Sequence, residues 1–270
     1  MAEASARMMK YAPGRMPSLS PFHFTMIVAA AALVLVSIGN VSPSLERLSD
    51  GLPRMANLVG RMMPPNTDPD FLWRVTLRLA ETFQIAIAGT AIGVILSLPI
   101  AWLAARGVTP AGVFYWFFKA LISLFRTIPD LIWALLFVSA VGLGAVAGTM
   151  TIIVDTIGFC GRFFAEAMED SDKEPQEALE AIGASRFSIL FGAIIPDVMP
   201  SMINTALFAL EKAVRSSVVL GLVGAGGIGQ ELKVAFDLFQ YQNAATIILA
   251  IFIIVLVMEH ITDRLRAKLG

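Results

Sequence analysis

The sequence predicts an all-α polytopic membrane protein with six transmembrane helices, and three observations predict it. Of 270 residues, 57% are hydrophobic and 15% charged, against about one-quarter charged in soluble domains. The apolar residues gather into runs near the ~20 needed to cross ~30 Å of hydrocarbon. Lys and Arg collect in alternate connections between those runs, as they do on the cytoplasmic side of membrane proteins. The net charge of -1 offers no basic field for nucleic acid. One cysteine (Cys160) and two histidines (His23 and His260) leave no disulfide framework and no expected metal site.

The first run is Phe22–Val41, flanked by Arg7, Lys10 and Arg15. A cleaved signal would have an apolar core of about 7–15 residues and a small-residue cleavage site. This run is longer, and Ile38-Gly39-Asn40-Val41 is a poor cleavage site, so an uncleaved span is predicted. Ser42–Arg74 is polar and bears five prolines, with a short surface helix expected around Leu45–Met63. The second span is Leu77–Ala105, where Gly89 and Gly93 are spaced to let a neighbouring helix approach. Gly112–Phe125 is rich in aromatics and is expected as an interfacial helix. Ile128–Val146, Thr149–Ala167, Ile194–Leu222 and Ala244 to about His260 complete the six. Residues 1–75 are thus a tail, a first span and an outer loop. Residues 76–270 form a core of five spans with a polar helix at about 172–186.

Charge sets the expected orientation. Arg264, Arg266 and Lys268 place the C-terminus in the cytoplasm, and Arg7, Lys10 and Arg15 place the N-terminus there too. An even number of spans satisfies both ends, so the expectation is a multi-pass plasma (inner) membrane protein. The Ser42–Arg74 loop carries Arg47, Arg54, Arg61 and Arg74 balanced by acids. It is read as external because long loops translocate with weaker regard to charge.

The segment between the fourth and fifth spans is the most informative. Asp172-Lys173-Glu174-Pro175 begins a helix with acids and proline in the first turn, and Gly183 suits its stop. About two turns, ~12 Å, lie between. The helix is too short and polar to cross a membrane, and Ala178, Ala181 and Ala184 let another protein come close.

This segment resembles the cytoplasmic loop of the permeases of binding-protein-dependent ABC importers. That loop has the form Glu-Ala-Ala-x3-Gly, nine residues, an apolar residue, x, Leu-Pro. Here stand Glu177-Ala178-Leu179, Gly183 and Ala193-x-Ile195-Pro196. Leu179 takes the place of the second Ala, Ala193 of the usual Ile and Ile195 of the usual Leu. Arg126-Thr127-Ile128-Pro129 is similar to the family's Arg-Ser-Ile-Pro. Val223-Gly224-Ala225-Gly226-Gly227-Ile228-Gly229-Gln230 is similar to a glycine signature of methionine-type and phosphonate-type permeases. Trp133–Gly144, Val214–Gly221 and the extra first span favour the phosphonate branch. The resemblance implies a type I, MetI-like permease fold and no enzyme activity of the chain itself. ATP and Mg would be held by a separate ATPase subunit in two copies, which receives Glu177, Ala178, Gly183, Ala184, Ser185 and Arg186. An extracytoplasmic substrate-binding protein and a second permease copy complete the implied assembly. No cofactor is expected on this chain.

Gly224, Gly226, Gly227 and Gly229 also satisfy G-x-G-x-x-G, but that motif binds dinucleotides only between a strand and a helix. Here it follows a span, so the glycines are read as structural, where backbone meets backbone. No G-x-x-x-x-G-K-[ST] is present to cradle ATP phosphates.

Glu211, Lys212 and Arg215 lie inside the fifth span, with Ser216 and Ser217 beside them. A charge at mid-membrane costs about 2.5–3.5 kcal/mol on insertion scales, so such residues face an interior or a wet path. One reading makes them the substrate path, with Arg215 or Lys212 meeting an anion. The other makes them a structural ion pair, since Glu211 and Arg215 are four apart. Asp155, Glu81 and Gln84 are weaker candidates, and Asp130 is suited to capping a helix start. The implied substrate is a phosphonate, with phosphate or phosphite as alternatives. A secondary transporter or channel using the intramembrane charges without an ATPase is the rival reading.

Overall fold

The computed structural model describes residues 20–41, 45–109 and 112–267. Arg7, Lys10, Arg15 and Lys268, on which part of the orientation rests, lie outside the described residues. Among the described residues the elements are helices and no strand occurs. The chain divides into two compact units, Met1–Asn57 and Leu58–Gly270.

In the first unit, α1 (Pro21–Val41) has no buried residue over Pro21–Asn40. An apolar helix of 21 residues with no protein cover suits a lipid surround. α2 (Leu45–Met62) follows, matching the surface helix predicted there.

In the second unit, α3 (Pro69–Ala104) begins eight residues before the predicted span. Asp68 caps it by accepting from the Phe71 N–H, and Pro69 supplies a first residue that needs no N–H partner. Hydropathy hid this start because Asp70 and Arg74 lie in its first turns. α6 (Ala145–Asp170) packs along α3. A Cβ on Gly89 would sit 2.6 Å from Ile152 Cβ, and one on Gly93 would sit 2.5 Å from Thr156 Cβ. The small-residue spacing therefore seats a ridge of α6 against the backbone of α3, as the sequence led one to expect.

The third span differs from the expectation. Instead of one helix over Ile128–Val146 there are α4 (Gly112–Thr127) and α5 (Asp130–Val141), bent by 91°. α5 is 12 residues long, about 18 Å, and cannot cross alone. Pro129 forces the break, and Gly142 and Gly144 end the run with φ of 92° and 125°. α6 consequently starts at Ala145, not Thr149. Ile122 and Phe125 of α4 lie near Gly161 and Gly158 of α6, whereas Ala134 and Val138 of α5 pack with Ile152. The two pieces thus run alongside successive halves of α6 as one bent pair, with α4 packed on α6. Five other stretches are long and apolar enough to cross: α1, α3, α6, the continuous run Arg186–Gly221, and α11 (Tyr241–Arg266).

After α6 come α7 (Lys173–Ala181), α8 (Arg186–Ile189), a π-helical turn (Leu190–Ile194) and α9 (Ile195–Gly221). Between α9 and α11 lies α10 (Ile228–Asp237), which the sequence reading left unassigned. Its signal was Ile228 and Ala235 at helical spacing, both now buried against Phe71 and Val75 of α3.

Candidate functional site

Three features of the second unit are candidates: the exposed helix α7, the charges inside α9, and the glycine loop before α10.

α7 is capped at both ends. Asp172 accepts from the Glu174 N–H, and Pro175 sits in the first turn. At the other end Gly183 has φ +77°, its N–H donates to Glu180 O (2.9 Å), and the Ala184 N–H donates to Leu179 O (3.0 Å). This is a Schellman stop, which glycine adopts without steric cost. No residue of α7 is buried, and Ile182 just beyond is 79% exposed. Glu177, Ala178, Ser185 and Arg186 are all exposed and Ala184 is half-buried.

The helix is nevertheless tied to three other elements. The Asp172 N–H donates to Asp197 in the first turn of α9 (3.0 Å), and Gln176 Nε2 donates to Ser171 Oγ at the end of α6 (2.9 Å). Beyond α7, Arg186 Nη1 donates to Thr109 O (3.1 Å), and Phe187 packs on Trp102 of α3 with ring centroids 4.9 Å apart. Leu179 points at the π-helical turn, where Gly192 leaves room: a Cβ there would be 3.5 Å from Leu179 Cδ1. α7 is thus held to α6 and α9, and the α8 turn that follows it is held to α3. Asp197, Gln176 and Ser171 escaped the sequence reading because nothing in a one-dimensional pattern marks a tertiary hydrogen bond.

The charges of α9 lie deep. Asp155 adjoins Thr156, which packs under Gly93, near the middle of the apolar stretch 77–105. Lys212 Nζ donates to both Asp155 oxygens (2.7 and 2.9 Å) and lies 5.3 Å from the Phe159 ring centre. Glu211, its side chain only 9% exposed, is held from two sides. Arg215 Nη1 donates to one oxygen (2.8 Å), and Arg266 Nη2 of α11 donates to the other (2.8 Å). Phe159 and Phe208 stack with centroids 5.6 Å apart, and Arg266 lies 5.5 Å from the Phe208 ring centre. The result is one continuous ionic and aromatic assembly across α6, α9 and α11.

The predicted pairing of Glu211 with Arg215 is present, and Asp155 gains a defined partner. Arg266 was read only as a topological charge of the C-terminal tail, so its place beside Glu211 is new. Ser217 is buried and donates back to Val214 O, while Ser216 is half-buried. Glu81 instead joins a second network, in which Arg78 reaches Glu81 (2.7 Å) and Glu231 of α10 (3.1 Å). Asp130 does not cap α5 as expected: Pro129 is the N-cap, and Asp130, the first helical residue, accepts only from the adjacent Leu131 N–H (2.9 Å). Beside the assembly opens a cleft of about 640 Å³ lined by Phe159, Phe208, Ser201, Asn204, Thr205 and Arg266. The Asn204 Oδ1 is buried and has no hydrogen-bond partner.

The glycine loop packs backbone on backbone. Gly224, Gly226 and Gly227 have positive φ, and a Cβ on Gly226 would meet Ala145 N at 2.8 Å. The Gly144 N–H donates to Gly224 O (2.9 Å), and the Ile228 N–H donates to Thr82 Oγ1 (2.8 Å). Gly229 presses on Val218 and Gly221, closing α10 against α9.

Comparison with known proteins gives consistent results. The chain is 39% identical over 219 residues to the phosphite transport system permease protein PtxC of Stutzerimonas stutzeri, covering 81% of this chain and 79% of that one. It is 38% identical over 209 residues to the phosphate-import permease protein PhnE of Mycolicibacterium smegmatis, covering 77% of this chain and 39% of that longer one. A chain from the inward-facing MetNI methionine ABC transporter superposes with a TM-score of 0.64 at 23% identity, over 76% of this chain and all of that one. The profile for binding-protein-dependent transport system inner membrane components matches residues 97–270, which include α6 to α11 and the α7 segment, and the chain belongs to that family.

Proposed function

We propose that this chain is the translocating subunit of an ATP-driven importer of phosphonate, phosphite, phosphate or a related phosphorus oxyanion. Two copies form the path, two separate ATPase subunits hydrolyse ATP, and an extracytoplasmic binding protein delivers the substrate. The α7 end of the bundle faces the cytoplasm, and both termini lie there. The observation that carries the reading is α7: a capped helix with no buried residue, bonded through its first turn to α6 and α9, is what a separate motor needs as a lever.

The oxyanion reading rests on the mid-depth assembly and on the relatives. Lys212, Arg215 and Arg266 pair with Asp155, Glu211 and Asp263, so the assembly is balanced in charge and Arg215, the most exposed of the three cations, is the one free to meet an anion. Arginine offers two parallel donors to a phosphorus oxyanion. Glu211 is shared, so Arg215 can turn to substrate while Arg266 keeps the buried carboxylate paired. The unpartnered Asn204 Oδ1 can accept from a P–OH group as the anion moves into the cleft.

Two measurements test this. Gly183→Val places a branched side chain at φ +77°, at a cost of about 1–3 kcal/mol in the stop of α7. It should leave membrane insertion and ATPase assembly intact while abolishing vanadate-sensitive uptake in proteoliposomes. Wild-type uptake would remove α7 from its role, and uptake without any ATPase would favour a secondary transporter. Arg215→Ala should lower uptake of phosphite and phosphate about tenfold or more, the loss of one charge-assisted bond. Unchanged kinetics would assign Arg215 to structure alone.

A further inference from the structure

At the α7 end of the bundle, α3, α4 and α6 enclose a cavity of about 470 Å³ that the transport reading does not use. Lys119, Ser123 and Arg126 of α4 line it, facing Arg162 and Glu166 of α6. The three α4 residues are spaced i, i+4 and i+7, one stripe of a helix. Of the two acids on the lining, Glu166 is ion-paired and Glu169 meets only a backbone donor. Glu166 Oε1 is 2.6 Å from Arg162 Nε, and Glu169 Oε1 accepts from the Arg106 N–H (2.7 Å).

The cations of α4 are not matched. Lys119 meets the phenol and ring of Tyr115, which carry no charge. Arg126 has no carboxylate partner among the described residues. Lys119, Arg126 and Arg162 against Glu166 and Glu169 therefore leave one positive charge in excess on the lining of a cavity of ligand size. The same helix exposes Phe114, Trp116 and Phe117. Aromatic residues beside cations mark the level of phospholipid headgroups.

We propose that this cavity binds the phosphate of an anionic phospholipid headgroup, with Lys119 and Arg126 as its counter-ions and the aromatic side of α4 against the acyl chains. Free inorganic phosphate shares the headgroup's charge but has no use for the exposed rings. The inference rests on residues outside the α9 assembly and fails or stands apart from the transport reading.

The test is native mass spectrometry of the intact chain in detergent, titrated with phosphatidylglycerol or phosphatidylcholine of equal chain length. The wild type should prefer phosphatidylglycerol. Each basic residue near an anionic headgroup contributes about fivefold, so Lys119→Gln with Arg126→Gln should cut that preference about ten- to thirtyfold. Glu166→Gln, which frees Arg162, should raise it. A second arm needs no variant: phosphatidylglycerol adducts should weaken with salt and survive millimolar inorganic phosphate. Equal binding of the two lipids, unchanged preference in the double variant, or displacement by inorganic phosphate would each overturn the proposal.

Discussion

Glu211→Ala should destabilise the permease and abolish its transport together. The side chain is 9% exposed, and each carboxylate oxygen is held by an arginine from a different helix. Removing one member of a buried ionic group costs about 3–5 kcal/mol, because what remains is charge without its partner. Here Arg215 would lose its carboxylate and Arg266 would keep only Asp263. Their partial access to water, 46% for Arg215 and 27% for Arg266, places the expected loss at the low end, about 3 kcal/mol. The thermal midpoint in detergent should fall by several degrees. Glu211→Gln, which keeps the shape but loses the charge, should fall less. Arg266→Gln should weaken the structure less than Glu211→Ala, and the double variant should lose less than the sum of the two. Additive losses, or a wild-type midpoint in Glu211→Ala, would show that the Glu211 tie does not hold α9 and α11 together.

Gly229→Ala should prevent the bundle from closing. A Cβ at this position would lie 1.9 Å from Val218 O and 3.0 Å from Gly221 Cα, with no flexible side chain between them to yield. Gly221 meets the same contact from the other side, 2.7 Å from Gly229 Cα. The two helix backbones would have to part, costing about 3 kcal/mol or more as overpacking against rigid neighbours. The yield of monodisperse protein should collapse. Gly112→Ala, where nothing lies within 4 Å, should keep the wild-type yield. A wild-type yield and midpoint for Gly229→Ala would contradict the packing of α10 on α9.

Much of this protein is set by local chemistry. The apolar runs located α1, α3, α6, α9 and α11 because hydrocarbon demands about 20 apolar residues per crossing, whatever surrounds the helix. The short helix α7 was legible from Asp172, Pro175 and Gly183, because caps and stops act within one turn of their own backbone. Gly89 and Gly93 announced a close approach, though not that Ile152 and Thr156 would fill it.

The rest was decided in three dimensions. Hydropathy sums over a window, so it ran through Pro129, Gly142 and Gly144 and saw one span where the backbone makes a bent pair. Arg266 looked like a tail charge, and only the antiparallel docking of α11 on α9 brings it within 2.8 Å of Glu211. The Phe159–Phe208 stack and the meeting of Lys212 with Asp155 likewise join residues from separate helices. A charge placed in a span signals that a partner must exist, because burying it alone is too costly, but the partner's identity depends on which helices pack together. Interactions within a few residues follow from the chain's own covalent order, whereas interactions between helices follow from how their surfaces fit.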